Sequence, residues 1–407
     1  MISRRVLRND RESSDAVTHP MHATRLSVFA ALAFVTTPAA RAQRPPAPTV
    51  RDSAGVRIVE HRTIKNAPIA FTITTTPQID LGGLKDDPKD ELDARNPFAS
   101  AFRLSDGRYV ASDYAWLKIF DAKGKYIRTI GRSGNGPGEF RQLMQICVAR
   151  GDTLIAFGYG DGRVSVFDST GRHVRSFVTG HYTTNGACFE DGTIVVHANR
   201  HINPATTMTP ERASVLDRIV DLERVHADGS GAGTIGWVFA EMLYGAQTME
   251  NSYAQGRSVY TGDGRTADVR IFSIDGKLTQ IIRWNDPLAP LTDDEARRRT
   301  ADMVRGGSGS GATPPHLDVF PAYSHLVADD AGRVWVEDPF STAAPHGWTL
   351  FAADGSLLGR VVPPKIPTMK QGRLELASAH RDYVILRWYD ADNGALHVSF
   401  HALEPVR

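Results

Sequence analysis

Three aspartates recur at one kind of place in this 407-residue chain. Asp113 ends the run Val110-Ala111-Ser112-Asp113, and Asp263 and Asp338 follow later apolar runs in the same way. Carboxylates at such places have two uses. They bind a cation or sugar hydroxyls at a shared mouth, or they cap turns by accepting neighbouring backbone N–H groups. The second use is the commoner one. Fourteen histidines raise the question of a metal. None forms His-Glu-x-x-His, and no Cys/His cluster has zinc spacing. No Gly-x-Ser-x-Gly elbow offers a serine nucleophile. Gly134-x-Gly136-x-Gly138 lacks the Gly-Lys-Ser/Thr of a phosphate loop and the helix that a dinucleotide fingerprint opens, so it reads as a connector. Tyr159, Trp116, Trp237 and Trp348 fall in or near loops, where aromatic side chains can anchor a partner.

The elements that hold these residues come from a repeat. Lys118-Ile119-Phe120-Asp121-Ala122-Lys123-Gly124 is an apolar run ending in an aromatic, then a turn. Ser165-Val166-Phe167-Asp168-Ser169-Thr170-Gly171, Arg270-Ile271-Phe272-Ser273-Ile274-Asp275-Gly276 and Thr349-Leu350-Phe351-Ala352-Ala353-Asp354-Gly355 repeat it, and Arg224 to Gly229 is a weaker copy. Asp and Gly accept the backbone angles of a tight turn, while β-branched and aromatic neighbours favour strands. A second turn precedes most copies, as at Ser105-Asp106-Gly107 and Asp191-Gly192. Each unit therefore reads as four short antiparallel strands. Gly124 and Gly171 are 47 residues apart, as are Gly229 and Gly276. Propeller blades commonly repeat at about 40–50 residues. The last unit, 374–403, needs a strand from the N-terminus, where Val56–Glu60 and Phe71–Thr74 alternate, to close the ring and hide its edges. The expectation is an all-β, six-bladed β-propeller over 50–407. Seven blades is the alternative, if residues 50–82 make one of their own. Thr292-Asp293-Asp294-Glu295 opens one short helical insertion at about 290–318. Repeated Phe120, Phe167, Phe272 and Phe351 are expected in the core between blades. His325 and Tyr253 are expected on innermost strands, lining the central channel.

Gly131-Arg132-Ser133-Gly134-Asn135-Gly136-Pro137-Gly138-Glu139-Phe140 resembles the connector of the NHL repeat family, and the segment to Phe177 is similar to a full repeat. The whole chain resembles bacterial secreted 6-bladed β-propeller proteins. That resemblance implies the fold and says little of function, because propellers host unrelated tasks. Propeller lyases and lactonases that resemble this fold place channel-lining His, Asp and Glu around a metal.

Arg25, the apolar run Leu26–Val35 and Ala40-x-Ala42 have signal-peptide proportions over 1–42, with Met21 a second candidate start. A Pro-rich linker, 43–49, follows. The expected location is periplasmic or extracellular. No later stretch is long and apolar enough for a membrane span. With Lys+Arg 47 against Asp+Glu 46, nothing calls for nucleic acid. Export permits a disulfide between Cys147 and Cys188, which both precede turns in neighbouring repeats; two buried thiols is the other reading. The expected function is a non-catalytic binding or scaffold module for a protein, peptide or glycan, with no cofactor. A metal-dependent lyase or lactone hydrolase in the channel, using a divalent cation, is the alternative. Asp113, Asp263, Asp338, His325, Tyr253 and Tyr159 are the candidate ligand-binding residues.

Overall fold

A computed structural model describes residues 46–406 apart from 97–98, 159–160, 180–181, 200–218, 240–241, 244–245, 248–250, 263, 295–318, 340–345, 367–368 and 370–373. The expected signal segment and most of the expected helical insertion lie outside the described residues. The repeat builds four-stranded antiparallel blades. The first is Ala101–Arg103, Tyr109–Asp113, Trp116–Phe120 and Tyr126–Ile130. The second is Leu143–Ala149, Thr153–Gly158, Arg163–Phe167 and His173–Val178. Tyr182–Cys188, Ile194–Asn199, Ile219–Val225 and Gly231–Phe239 make the third. Asn251–Gln255, Ser258–Gly262, Asp268–Ser273 and Leu278–Trp284 make the fourth. The fifth is Leu326–Ala328, Val334–Glu337, Trp348–Phe351 and Leu357–Val362. In the sixth, Glu375–Ala379, Tyr383–Tyr389 and Leu396–Pro405 take their outer strand from the N-terminal segment, Ile79–Gly82.

The repeated motif explains the third-to-fourth turn of the first, second, fourth and fifth blades. The ladder shifts register at Ile119/Phe120, Val166/Phe167, Ile271/Phe272 and Leu350/Phe351. A bulge there turns the chain into a tight loop whose aspartate caps it. Asp121 Oδ1 accepts from Lys123 N at 2.8 Å and Lys125 N at 2.9 Å. Gly124 and Gly171 have φ of 78° and 75°, which a side chain would strain. Phe120, Phe167 and Phe351 are buried, and Phe272 packs on the core between the third and fourth blades.

Each junction between neighbouring blades holds one hydrophobic cluster among the described residues. Leu104, Ile119 and Phe140 with Phe167 fill the first junction, and Tyr260 and Trp284 with Tyr323 and Phe351 fill the fourth. The sixth cluster joins Val398 and Phe400 of the last blade to Tyr109 and Phe120 of the first, so the ring is closed.

The N-terminal region makes no seventh blade. Its strands spread over three existing ones. Thr49–Ser53 pairs with Val56–His61, which lies parallel to Leu278–Trp284 on the outer edge of the fourth blade. Ile69–Ile73 runs parallel to Leu357–Val362 of the fifth blade and antiparallel to Leu396–Pro405 of the sixth. Two sheets are therefore wider than the expected four strands. Outer propeller edges are open ladders, and covering them satisfies their backbone groups.

Strand direction sorts the connections. First-to-second and third-to-fourth turns lie on one face, here called the turn face. They are short, as at 104–108, 150–152 and 256–257. Second-to-third and blade-to-blade connections leave the opposite, connection face. They include 200–218, 285–325, 338–347 and 363–374.

Candidate functional site

Asp113 ends the second strand of the first blade and is 1% exposed. Its Oδ1 accepts from Asp93 N at 2.7 Å and Tyr114 N at 3.1 Å. Its Oδ2 accepts from Trp116 Nε1 at 3.0 Å and pairs with Lys118 Nζ at 3.0 Å. Lys118 Nζ also donates to the Glu91 carbonyl. Burying an ion pair requires that every polar atom find a partner, and here the carboxylate's partners are all internal. They fasten residues 91–93 to the first blade. Asp338 occupies the matching place in the fifth blade. It forms a two-pronged pair with Arg360, with Nη1 3.0 Å from Oδ1 and Nη2 on Oδ2. Asp263 and Tyr159 lie outside the described residues.

His325 sits immediately before the innermost strand of the fifth blade, on the connection face. Its Nδ1 is 3.9 Å from Glu337 Oε2. Glu337 ends the next strand and is 1% exposed, and its Oε1 is 2.7 Å from His346 Nε2. One buried carboxylate thus stands between two imidazoles, with the Asp338–Arg360 pair beside it in sequence. Glu337 and His346 escaped the sequence reading. Glu337 closes an apolar run next to the aspartate that drew notice, and nothing local marks it as buried.

Tyr253 lies on the innermost strand of the fourth blade, as expected, but its hydroxyl is engaged. It is 3.1 Å from Ser378 Oγ on the innermost strand of the sixth blade. Burial pushes the Tyr253 phenol above its ordinary pKa, reinforced by the negative charges of Asp329 and Asp330. Ser378 Oγ is 3.3 Å from His380 Nε2, whose Nδ1 is 3.7 Å from Asp330 Oδ2. The order serine, histidine, aspartate invites comparison with a nucleophilic relay. Ser378 is 3% exposed, and its hydroxyl is engaged by Tyr253. The chain of contacts joins three blades instead.

Of the four described candidates, His325 and Asp338 are neighbours on the fifth blade, where Glu337 N donates to the His325 carbonyl and Ser324 Oγ to the Asp338 carbonyl, while Asp113 and Tyr253 belong to the first and fourth blades. Among the described residues, no three His, Cys, Asp or Glu side chains form a metal-holding group. Trp348 is 1% exposed, in the core between the fifth and sixth blades, so it faces no partner. Trp116 opens a strand, and its indole bonds to Asp113. Trp237 stands within a strand. Trp116 and Trp348 each open a strand at the edge of a loop, and of the two it is Trp348 whose burial removes it as a partner anchor. Cys147 and Cys188, on the innermost strands of the second and third blades, are joined by a disulfide with Cα atoms 6.0 Å apart. No described helix is long and apolar enough to cross a membrane.

The sequence matches no curated protein. Solved structures with similar folds include an exported protein of Bacteroides fragilis, 11% identical, covering 86% of this chain and 100% of that one, with a TM-score of 0.46. Others are a virginiamycin B lyase from Staphylococcus aureus (8% identity, 75% and 80% coverage, TM-score 0.39) and a gluconolactonase from Xanthomonas campestris (13%, 89% and 97%, 0.39). Residues 101–176 match the model of a family described as 6-bladed beta-propeller. That span is the first two blades, four others of the same build complete the ring, and the chain is a six-bladed β-propeller protein.

Proposed function

We propose that this protein is an exported, non-catalytic binding module that holds a protein, peptide or glycan on its connection face. One observation carries the reading: the asymmetry between the two faces. Tight turns with internally capped aspartates close one face, while the strand ends that the long connections join, such as Asn199 and Ile219 or Glu337 and Trp348, lie on the other. A rigid ring that presents long segments on one side suits recognition, because a scaffold holds its loops with little loss of entropy on binding.

The test is a peptide and glycan array probed with the purified protein and with two variants. One replaces 200–218 by a short Gly-Ser turn; the other replaces the turn 121–125 by an unrelated tight turn. Binding should fall by about tenfold or more in the first, as loss of an interface segment entails, and stay unchanged in the second. Equal loss in both, or no binding to any array member, would count against the reading. Elemental analysis of the same preparation gives a separate check. A stoichiometric divalent metal would favour a lyase or lactone hydrolase with its site in the central channel.

A further inference from the structure

The turn face carries a feature that the connection-face reading does not use. A cleft of about 430 Å³ opens between the second and third blades. Its floor is apolar, formed by Ala149, Ile155 and Val166. Ile155 and Val166 are paired across the second blade's ladder, and Val166 pairs in turn with Arg175. The three side chains therefore share one side of the sheet. Arg175 lines the cleft, and its Nε is buried without a hydrogen-bond partner. Among the described residues its guanidinium has no ion-pair partner either. The second arginine of the cleft, Arg150, is already neutralised, with Nη2 3.2 Å from Glu190 Oε1. Asp191 spends its Oδ1 on Thr193 N at 2.9 Å.

The walls are fixed. Cys147 and Cys188 stand two residues before Ala149 and Glu190, so their disulfide ties the two inner strands where the cleft begins. Arg150 N donates to the Glu190 carbonyl at 2.8 Å and joins the two turns. Arg175 is half-buried, and its Nε is shut away from water, so an anion in the cleft would meet an unsatisfied donor. The planar guanidinium fork matches a carboxylate in two parallel bonds. Glu190 and Asp191 would repel a doubly charged phosphate more strongly than a single negative charge. The volume suits a small molecule, within the usual few hundred cubic ångströms of ligand sites.

We propose that the cleft between the second and third blades binds a small monocarboxylate with an apolar body, its carboxylate on Arg175 and its body on Ile155 and Val166. Free apolar amino acids, peptide C-termini and short fatty acids share this chemistry. The experiment is titration of the purified, disulfide-intact protein by ligand-observed NMR with L-leucine, N-acetyl-L-leucine and hexanoate. Hexanamide and inorganic phosphate are the controls. At least one carboxylate should bind about tenfold or more tightly than hexanamide, as a charge-assisted pair implies. The best of the three identifies the source: leucine a free amino acid, N-acetyl-leucine a peptide end, hexanoate a fatty acid. Arg175→Gln should remove the preference for the acid, and Arg175→Lys should retain part of it. Equal binding of hexanoate and hexanamide, tighter binding of phosphate, or no binding of any carboxylate would overturn the proposal. So would an acid preference that survives Arg175→Gln. The acid-to-amide comparison is made on the unaltered protein, so it decides even if a variant fails to fold. Because the cleft and the connection face lie on opposite sides of the ring, failure here leaves the array result untouched.

Discussion

Single residues carry strain and charge that the ring must absorb. Asp113→Ala would leave Lys118 buried with only the Glu91 carbonyl, and an uncompensated buried charge costs about 3–5 kcal/mol. The expected result is a lower urea midpoint by that free energy, with array binding kept; a loss within about 0.5 kcal/mol, typical of surface positions, would contradict the burial argument. Two histidines make a second prediction. His61 Nε2 lies 2.8 Å from the Gly355 carbonyl, and His401 Nδ1 lies 2.7 Å from the Thr74 carbonyl. A carbonyl only accepts, so both nitrogens carry hydrogen and donate. Burial lowers both pKa values below the ordinary 6.5 of histidine, against the opposing hydrogen bonds. The unfolded chain therefore takes up protons first as pH falls. Their contribution to stability is complete above about 6.5 and drains away between there and their lower folded values. Asp168 stays silent in that window, since bonds led by the Thr170 hydroxyl hold it at about 2. Urea midpoints should fall between pH 7.5 and 5.5, and fall less in a His61→Gln, His401→Gln double variant. Both histidines fasten N-terminal residues to blades, so acid should loosen that wrap first, as hydrogen exchange at Val56–His61 would report.

At the scale of the element, turn chemistry was legible and long-range pairing was not. Phe-Asp-x-x-Gly marks a bulge and a capped turn within five residues, so the blades could be read from local rules. Ile79-Asp80-Leu81-Gly82 closes the ring, yet it is four residues long and pairs with a strand over 300 residues away. Nothing in its own spacing chooses that partner over the edge of another blade. The contact of Tyr253 with Ser378 was hidden for the same reason: it depends on which innermost strands the ring brings together. The disulfide belongs to this scale too. It links two innermost strands across a separation of 41 residues. In the chain-entropy account, closing a loop of that length stabilises the fold by about 4 kcal/mol. Cys147→Ser with Cys188→Ser should therefore lower the denaturant midpoint substantially, and the third blade should gain hydrogen exchange before the others. A double variant as stable as the parent would mean that packing at this junction, through Phe157, Val196 and Val225, already holds the two blades.

The whole molecule depends on where its ends meet. Leu396–Pro405 is held on one side by its own blade and on the other by Ile79–Gly82 and Ile69–Ile73. Removing those N-terminal strands would uncover a ten-residue edge carrying Val398, Phe400 and Leu403. It would also take Leu81 from the cluster that joins the last blade to the first. An open, apolar edge pairs with other chains. The outer hairpin, 49–61, plays a smaller part: Thr49–Ser53 is exposed throughout, and the fourth blade beneath it has its own four strands. Two truncations separate these roles. A chain lacking residues 43–62 should remain monomeric and unfold in one transition at a lower denaturant concentration. A chain lacking residues 43–83 should lose the cooperative transition and self-associate, as seen by light scattering. Adding Ile79–Gly82 back at the C-terminus, through a linker long enough to let it lie antiparallel to Leu396–Pro405, should restore both properties. Rescue by that permuted strand would place the stability of the ring in the ladder itself and not in the order of the chain. Equal behaviour of the two truncations would mean that the six inter-blade cores hold the circle without a closing strand.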